Sequence, residues 1–176
     1  MNMRLLFEPR PPWIVLDLLA QDEQTKLPEY LYHDENFSTL IRVLRGKRMR
    51  SRQALMNEFA AAFQFFEGFG ENWYALKDCL IYLDDRFHID RYIVVVTRPQ
   101  EVLSDEPEEE LGWFIQTLQE VGEWWSRPIT DNPPFDRPAI PFHTVLQATD
   151  AELDGLDRRL RFFPRLDRRG SSLESE

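Results

Sequence analysis

The spacing of apolar and polar residues along the chain predicts alternating strands and helices. Continuous apolar or β-branched runs of strand length occur at residues 13–19, 37–44, 92–97 and 142–148. Elsewhere apolar residues recur at three- and four-residue steps, which is typical of amphipathic helices. From residue 37 onward the order is strand, helix, helix, strand, helix, strand. Because helices separate these strands, we expect an α/β fold in which the strands are parallel.

Helix-capping residues support the three predicted helices. Ser51 precedes an apolar stripe formed by Leu55, Phe59, Ala62, Phe63 and Phe66. Asn72 precedes the second helix, predicted over residues 73–83. The third helix follows a stretch without basic residues, and its stripe is formed by Leu111, Phe114, Ile115, Leu118 and Val121. Acidic residues before this helix favour its N-terminus through the helix dipole.

The chain is expected to consist of one domain with additions at both ends. Residues 1–36 form an N-terminal extension that could add a strand. Residues 37–148 form the main domain, and residues 127–141 are a proline-rich insertion without a helix or strand pattern. Residues 149–176 are predicted to form a C-terminal helix, opened by a capping box of Thr149 and Glu152, and a flexible tail.

Composition limits the functional classes. The chain has 21 basic and 31 acidic residues, a formal net charge of −10, which argues against non-specific nucleic-acid binding and favours encounter with a basic partner. The same charge could serve solubility alone. No apolar run is long enough to span a membrane, so we expect no membrane association. A single cysteine, Cys79, excludes an intrachain disulfide, which together with the lack of a signal-peptide pattern leads us to expect a cytoplasmic protein.

Motifs for catalysis are missing from the sequence. There is no nucleophile motif, no glycine-rich phosphate loop and no regularly spaced pair of metal ligands, so we expect neither an enzyme nor a cofactor or metal. A basic run at residues 42–52 holds six cationic side chains and no acid. It could contact RNA or form a solvated turn, but we expect it to pair with the acidic segment at residues 101–110. Direct nucleic-acid binding is therefore not expected.

The second predicted helix has two chemically different sides. Its apolar side carries Trp73, Leu76, Leu80 and Leu83, with Cys79 beside them. Tyr74 and Asp78 are four residues apart and share the opposite side. Lys77 lies on the flank, and Glu71 lies at the helix start. Trp73 is therefore expected in the core, whereas Asp78 is either an ordinary surface acid or part of a binding site.

The segment FGENWYALKDCL, residues 69–80, resembles the barstar family, the intracellular inhibitors of secreted microbial ribonucleases. The matching positions are Phe69, Gly70, Asn72, Ala75, Leu76, Asp78, Cys79 and Leu80. The order of strands and helices is similar too, and the likeness covers about residues 37–148. The resemblance implies a barstar-like α/β fold with a three-stranded parallel sheet packed with helices.

The resemblance also implies a mechanism and a set of contact residues. In that family an inhibitor aspartate occupies the place of the substrate phosphate in the ribonuclease site, and this aspartate aligns with Asp78. Paired oxygens of a carboxylate suit the arginines that bind phosphate. The partner-binding residues expected on this basis are Asp78, Tyr74, Lys77, Glu71, Phe69, Gly70 and Glu120.

Four positions decide how closely the site follows the family. Tyr74 stands where the family commonly has a second carboxylate, and Lys77 stands where it has an outward tryptophan. Near Glu67 and Gly68 the family has a tyrosine, whereas Glu120 matches a family glutamate late in the third helix. Lys77 is expected to oppose a purely cationic site.

Two functions follow as hypotheses. The first is an inhibitor or immunity protein, of bacterial type, that blocks a basic ribonuclease or ribonuclease-type toxin. The second is a protein-interaction module of the same fold whose partner is not a nuclease. A strong salt dependence of association would favour the first hypothesis.

Overall fold

The fold is built around one parallel sheet. The computed structural model describes residues 3–19, 37–83 and 89–166. The sheet consists of strands β1 (Ile14–Leu19), β2 (Thr39–Arg45), β3 (Arg91–Thr97) and β4 (Phe142–Thr149). The strand order is β1-β4-β3-β2, and every neighbouring pair is parallel. The predicted parallel pairing of the last three strands and the α/β class are therefore confirmed.

The sheet has four strands rather than the three predicted. The additional strand, β1, comes from the apolar run in the N-terminal extension and pairs with β4, with Ile14 opposite Thr144 and Leu19 opposite Thr149. β4 is buried along almost its whole length. Without β1, the backbone groups on one side of β4 would lack partners inside the protein, which is costly. The main domain supplies the three predicted strands, and the N-terminal extension adds the fourth.

Three longer helices cover one face of the sheet. They are α1 (Arg52–Phe63), α2 (Trp73–Ile81) and α3 (Glu108–Trp125). The predicted N-caps are confirmed: the side chains of Ser51 and Asn72 accept hydrogen bonds from the backbone N–H groups of Ala54 (3.3 Å) and Ala75 (3.0 Å). The first turn of α3 is acidic throughout, as the helix dipole favours.

The main core lies between these helices and the sheet. Its largest fully buried side chains include Trp125, Tyr92, Phe59, Phe114 and Phe142. The Trp125 indole N–H donates to the carbonyl oxygen of Leu80 at 2.9 Å, so its polar atom is satisfied inside the core. This bond joins the end of α3 to α2, and the two helices hold each other in place. None of the helices in the described ranges has the length and apolar character needed to cross a membrane.

The stripe of the first helix ends earlier than predicted. Leu55 and Phe59 are buried, but α1 ends at Phe63, because Gln64 takes up a left-handed backbone with φ 55°. Phe66 therefore does not continue the buried stripe and is 67% exposed.

Segments outside the main domain cover the other face of the sheet. A 3₁₀ helix (Met3–Phe7) and Leu166 form a second cluster with strand residues of that face, namely Val15, Ile93, Val95 and Val145. Alternate residues of a strand point to opposite faces, so both faces of the sheet are covered. The N-terminal extension is thus part of the packed fold.

Buried His143 fixes the chain before β1. Its two ring nitrogens lie 3.1 Å and 2.9 Å from the carbonyl oxygens of Pro12 and Glu8. Burial lowers the pKa of His143, although the two carbonyl contacts oppose this effect. The Trp13 ring lies 5.6 Å from the imidazole ring, so the extension is held by both polar and aromatic contacts.

The C-terminal segment differs from the single helix predicted. It forms a 3₁₀ helix (Asp150–Gly155) and a short α4 (Arg158–Arg161), separated where Asp157 caps the second helix. The predicted capping box at Thr149 and Glu152 is present. Leu156 lies between the two helices in an extended conformation, which interrupts the helical hydrogen bonding. The tail predicted to be flexible falls at residues 167–176, outside the described residues.

The basic run pairs with acidic residues, as predicted. Arg50 contacts Asp105 at 3.0 Å, and Arg52 lies 3.4 Å from Glu110. These pairs join the start of α1 to the segment before α3 and to the first turn of α3. The prediction that this run pairs with residues 101–110 is therefore confirmed.

Candidate functional site

The start of α2 is a tightly defined turn. The Asn72 side chain accepts from the backbone of Ala75 and donates to the carbonyl oxygen of Gly70 at 2.9 Å. Glu71, between Gly70 and Asn72, has φ 47°, in the left-handed backbone region that residues other than glycine rarely adopt. Its carboxylate accepts from the Gln53 side chain of α1 at 2.8 Å. Backbone strain of this kind is common at binding sites.

Aromatic packing orders the loop between α1 and α2. Phe69 is half-buried, with its ring 5.0 Å from that of Phe65. Gly70 is exposed beside the helix start. Of these two candidate contact residues, Phe69 therefore supports the loop from within, whereas Gly70 presents its backbone to solvent.

The inner side of α2 is only partly as predicted. Leu76 and Leu80 are fully buried. Trp73 packs against the core but is half-buried rather than fully buried, and its indole N–H donates to Glu110 at 2.9 Å. The indole N–H needs a hydrogen-bond acceptor, and the Glu110 carboxylate supplies one near the surface, so the ring is not fully buried. Cys79 is half-buried. Burial is the larger cause that raises the pKa of its thiol, and the negative charge of Asp78 adds to the effect.

The outer face of α2 is formed by Tyr74, Asp78 and Tyr82, which follow one another at intervals of four residues. Tyr74 is 73% exposed and Tyr82 is 74% exposed. Asp78 is exposed between them, and its carboxylate has no hydrogen-bond or ion-pair partner among the residues that the structure describes. Tyrosine is among the residues enriched at protein interfaces, so the two exposed rings beside Asp78 make this face a candidate contact surface.

Tyr82 was missed as a candidate contact residue, although its position relative to Asp78 could have revealed it. It is the C-cap of α2, one helical turn beyond Asp78, and its ring lies 6.0 Å from that of Trp124. This contact with α3 holds Tyr82 on the same surface as Asp78.

A groove of about 760 Å³ opens beside this face, between the loop before α2 and the edge strand β2. Its walls are largely apolar and include several aromatic rings, and Asp78 and Arg42 contribute its charged groups. The Arg42 Nε atom is buried without a hydrogen-bond partner. The groove therefore places a carboxylate beside apolar rings, an arrangement that suits a partner side chain with both apolar and polar atoms.

Lys77 and Glu120 lie together on the flank of the site. The Lys77 ammonium is 3.0 Å from the Glu120 carboxylate, which also accepts from Gln116 at 2.7 Å. Hydrogen bonds from Gln116 and Lys77 hold the pKa of Glu120 below its usual range. The charge of Lys77 is thus balanced within the protein, and its expected repulsion of a cationic partner is weakened. Lys77 also lies 5.9 Å from the centre of the Tyr74 ring.

The candidate residues therefore fall into three groups. Tyr74 and Asp78 share the outer face of α2, Lys77 and Glu120 form the ion pair between α2 and α3, and residues 69–71 lie in the loop that leads into α2. Nowhere in the described ranges do three or more histidine, cysteine, aspartate or glutamate side chains come together in a way that could hold a metal ion. What the outer face of α2 offers is an exposed carboxylate between two exposed aromatic rings.

A protein-family model matches the greater part of the chain. The model described as Barstar (barnase inhibitor) matches residues 39–147, which is more than half of the chain. This range begins at β2 and includes α1, α2 and α3. No curated protein matches the sequence.

Proposed function

Because the chain belongs to the Barstar (barnase inhibitor) family, we propose that it binds a basic ribonuclease or ribonuclease-type toxin and blocks the active site with α2. The family is one of inhibitors and not of enzymes. The observation that carries the proposal is the position of Asp78, exposed and without a charge partner within the described ranges. Its carboxylate would take the place of a substrate phosphate among the cations of the enzyme.

The surroundings of Asp78 support this role. Tyr74 and Tyr82 flank the carboxylate and would exclude water from a charge pair formed there, which strengthens it. Asn72 and the strained backbone at Glu71 fix the start of the helix, so little order would have to be gained on binding. The net charge of −10 would speed the encounter with a basic enzyme.

A ribonuclease assay tests the proposal. Purified barnase cleaving a fluorogenic RNA substrate serves as the probe, and the wild-type chain is expected to inhibit it in proportion to its concentration. Asp78→Ala should lose most of this inhibition while keeping the wild-type melting temperature. Glu109→Gln removes an exposed acid from α3 and should inhibit like wild type. Equal inhibition by wild type and Asp78→Ala would contradict the proposed role of Asp78.

A second candidate function is supported by the ion pair of Lys77 and Glu120. Because this pair balances its own charge and Tyr74 replaces a carboxylate, the site is less acidic than the family pattern implies. A protein partner that is not a nuclease would fit such a surface. Absence of ribonuclease inhibition, together with Asp78-dependent binding of a partner without nuclease activity, would favour this alternative.

A further inference from the structure

A second groove lies next to the proposed binding face, on the other side of α3. It has a volume of about 450 Å³ and is formed between α3 and the chain that leads into β1. One wall is apolar and contains Pro11, Pro12 and Trp13, with Phe163 from the C-terminal segment. The opposite wall is α3, which contributes Glu120 and Glu123. The apolar wall therefore comes entirely from outside residues 39–147, the range matched by the family model.

The apolar wall is held firmly in place. Trp13 packs directly on Gly122 of α3, where an added Cβ atom would come within 2.6 Å of the indole ring. The Trp13 carbonyl oxygen accepts from the backbone of Thr144 at 2.8 Å, and the Pro12 carbonyl oxygen contacts His143. A wall fixed in this way needs no ordering when a ligand enters the groove.

The carboxylates of the groove form ion pairs with cationic side chains of the protein, and these ion pairs are weak. Glu120 pairs with Lys77 and Glu123 pairs with Arg127, and the four side chains are between 32% and 71% exposed. Exposed ion pairs of this kind contribute little to stability. A cation supplied by a partner could therefore replace Lys77 or Arg127 at small cost.

We propose that this groove binds a lysine- or arginine-bearing segment of the same partner that α2 engages. The aliphatic stem of such a side chain would pack on the prolines and Trp13, where its cation can also meet the face of the indole ring. The charged end would reach Glu123 or Glu120. Glu120 belongs to both surfaces, so the groove continues the α2 face around α3. This inference rests on the proposed function for the identity of the partner.

A nuclear magnetic resonance titration of the full-length chain tests the groove without the partner. The probe is the peptide acetyl-Arg-Lys-Arg-Lys-amide, and the control is acetyl-Glu-Asp-Glu-Asp-amide. We expect the basic peptide to shift the Trp13 indole N–H signal in a saturable manner, with little change at Trp113, whose exposed ring lies outside the groove. Equal shifts with the acidic peptide, or no saturable shift at Trp13, would overturn the inference.

Three charge variants sharpen this test. Glu123→Gln should weaken binding of the basic peptide about threefold, as expected for an exposed charge pair. Arg127→Gln should strengthen it by about twofold, because the competing internal cation is gone. Glu109→Gln, on the same helix but outside the groove, should leave it unchanged. Wild-type affinity in Glu123→Gln would overturn the assignment of the charged wall.

A calorimetric titration with barnase separates this inference from the proposed function. If Asp78→Ala and Glu123→Gln both weaken binding, the two surfaces act together. If Asp78→Ala alone weakens binding, the proposed function stands and the groove inference is overturned. If Asp78→Ala binds like wild type, the proposed role of α2 fails, and the peptide titration still decides whether the groove accepts a cationic segment.

Discussion

Two charged regions of this protein are built in opposite ways. In the basic run, Arg45 makes two hydrogen bonds with the nearly buried carboxylate of Glu58, and Arg50 pairs with Asp105. On the outer face of α2, Asp78 is without such a partner among the described residues. In the basic run the charges join elements of the fold, whereas the outer face of α2 carries one carboxylate between two tyrosines. The difference shows that charges paired inside the fold hold its elements together, whereas an exposed charge without an internal partner, such as Asp78, is available to a binding partner.

The largest effect on stability is expected at Glu58. Its carboxylate is 8% exposed and accepts from the backbone N–H and the guanidinium of Arg45. Glu58→Ala should lower the free energy of unfolding by about 2 kcal/mol, because hydrogen bonds to a charged group are lost in a buried place. Chemical denaturation measures this change. Asn57 precedes Glu58 in α1 and is exposed. In the matched control Asn57→Ala, the free energy of unfolding should stay within about 0.5 kcal/mol of the wild-type value.

The same carboxylate predicts a pH dependence. Burial alone would raise the pKa of Glu58, but the hydrogen bonds and charge of Arg45 outweigh burial and lower it. The contribution of Glu58 to stability is therefore present above the unfolded pKa, about 4.3, and is lost as the pH falls through the lower folded pKa. Denaturation at several pH values should show a steeper acid loss in wild type than in Glu58→Ala. Parallel curves would contradict the assigned pairing.

An intermediate effect is expected at Lys77. Lys77→Ala frees Glu120 and removes a cation from the proposed binding face, so affinity for barnase should be unchanged or rise by as much as about fivefold. Calorimetric titration measures this, with Lys47→Ala, an exposed lysine of the basic run, as the control. A loss of affinity in Lys77→Ala would show that Lys77 itself contacts the partner and would favour the alternative of a non-nuclease partner.

The smallest effect is expected at Arg50. Its side chain is 51% exposed and that of Asp105 is 52% exposed, so Arg50→Ala should cost only a small part of the stability, visible as a slight fall in melting temperature. The cost should shrink further at high salt, because exposed charges are screened. Thermal melts at low and high ionic strength measure both effects. A large loss that is independent of salt would mean that Arg50 supports the fold through packing instead.

Much of the fold could be predicted from the sequence because its signals are local. Ser51 and Asn72 cap the helices that follow them, and the apolar runs form parallel strands. The pairing of β1 with β4 could not be predicted, since it joins residues about 130 positions apart along the chain. The exposure of Phe66 could not be predicted either, because no clear sequence signal marks the left-handed backbone at Gln64 that ends the helix.

Part of the candidate site could be predicted as well, because it depends on spacing within a single helix. Helical spacing alone places Tyr74 and Asp78 on one face, and it could also have included Tyr82. The bond between Lys77 and Glu120 spans 43 positions and depends on how α2 packs on α3. Sequence reasoning therefore treated Lys77 as a free cation, whereas the structure pairs it. The roles of these residues in binding a partner stay predictions.

The measurement that tests the central claim most directly is a calorimetric titration of Asp78→Asn against barnase. This substitution keeps the size of the side chain and removes the charge that the fold leaves unpaired. Affinity should fall by at least about thirtyfold, which corresponds to about 2 kcal/mol, while the unfolding free energy stays at the wild-type value. Wild-type affinity in Asp78→Asn, with clear binding by the parent chain, would contradict the claim that the Asp78 carboxylate binds cationic groups of the partner.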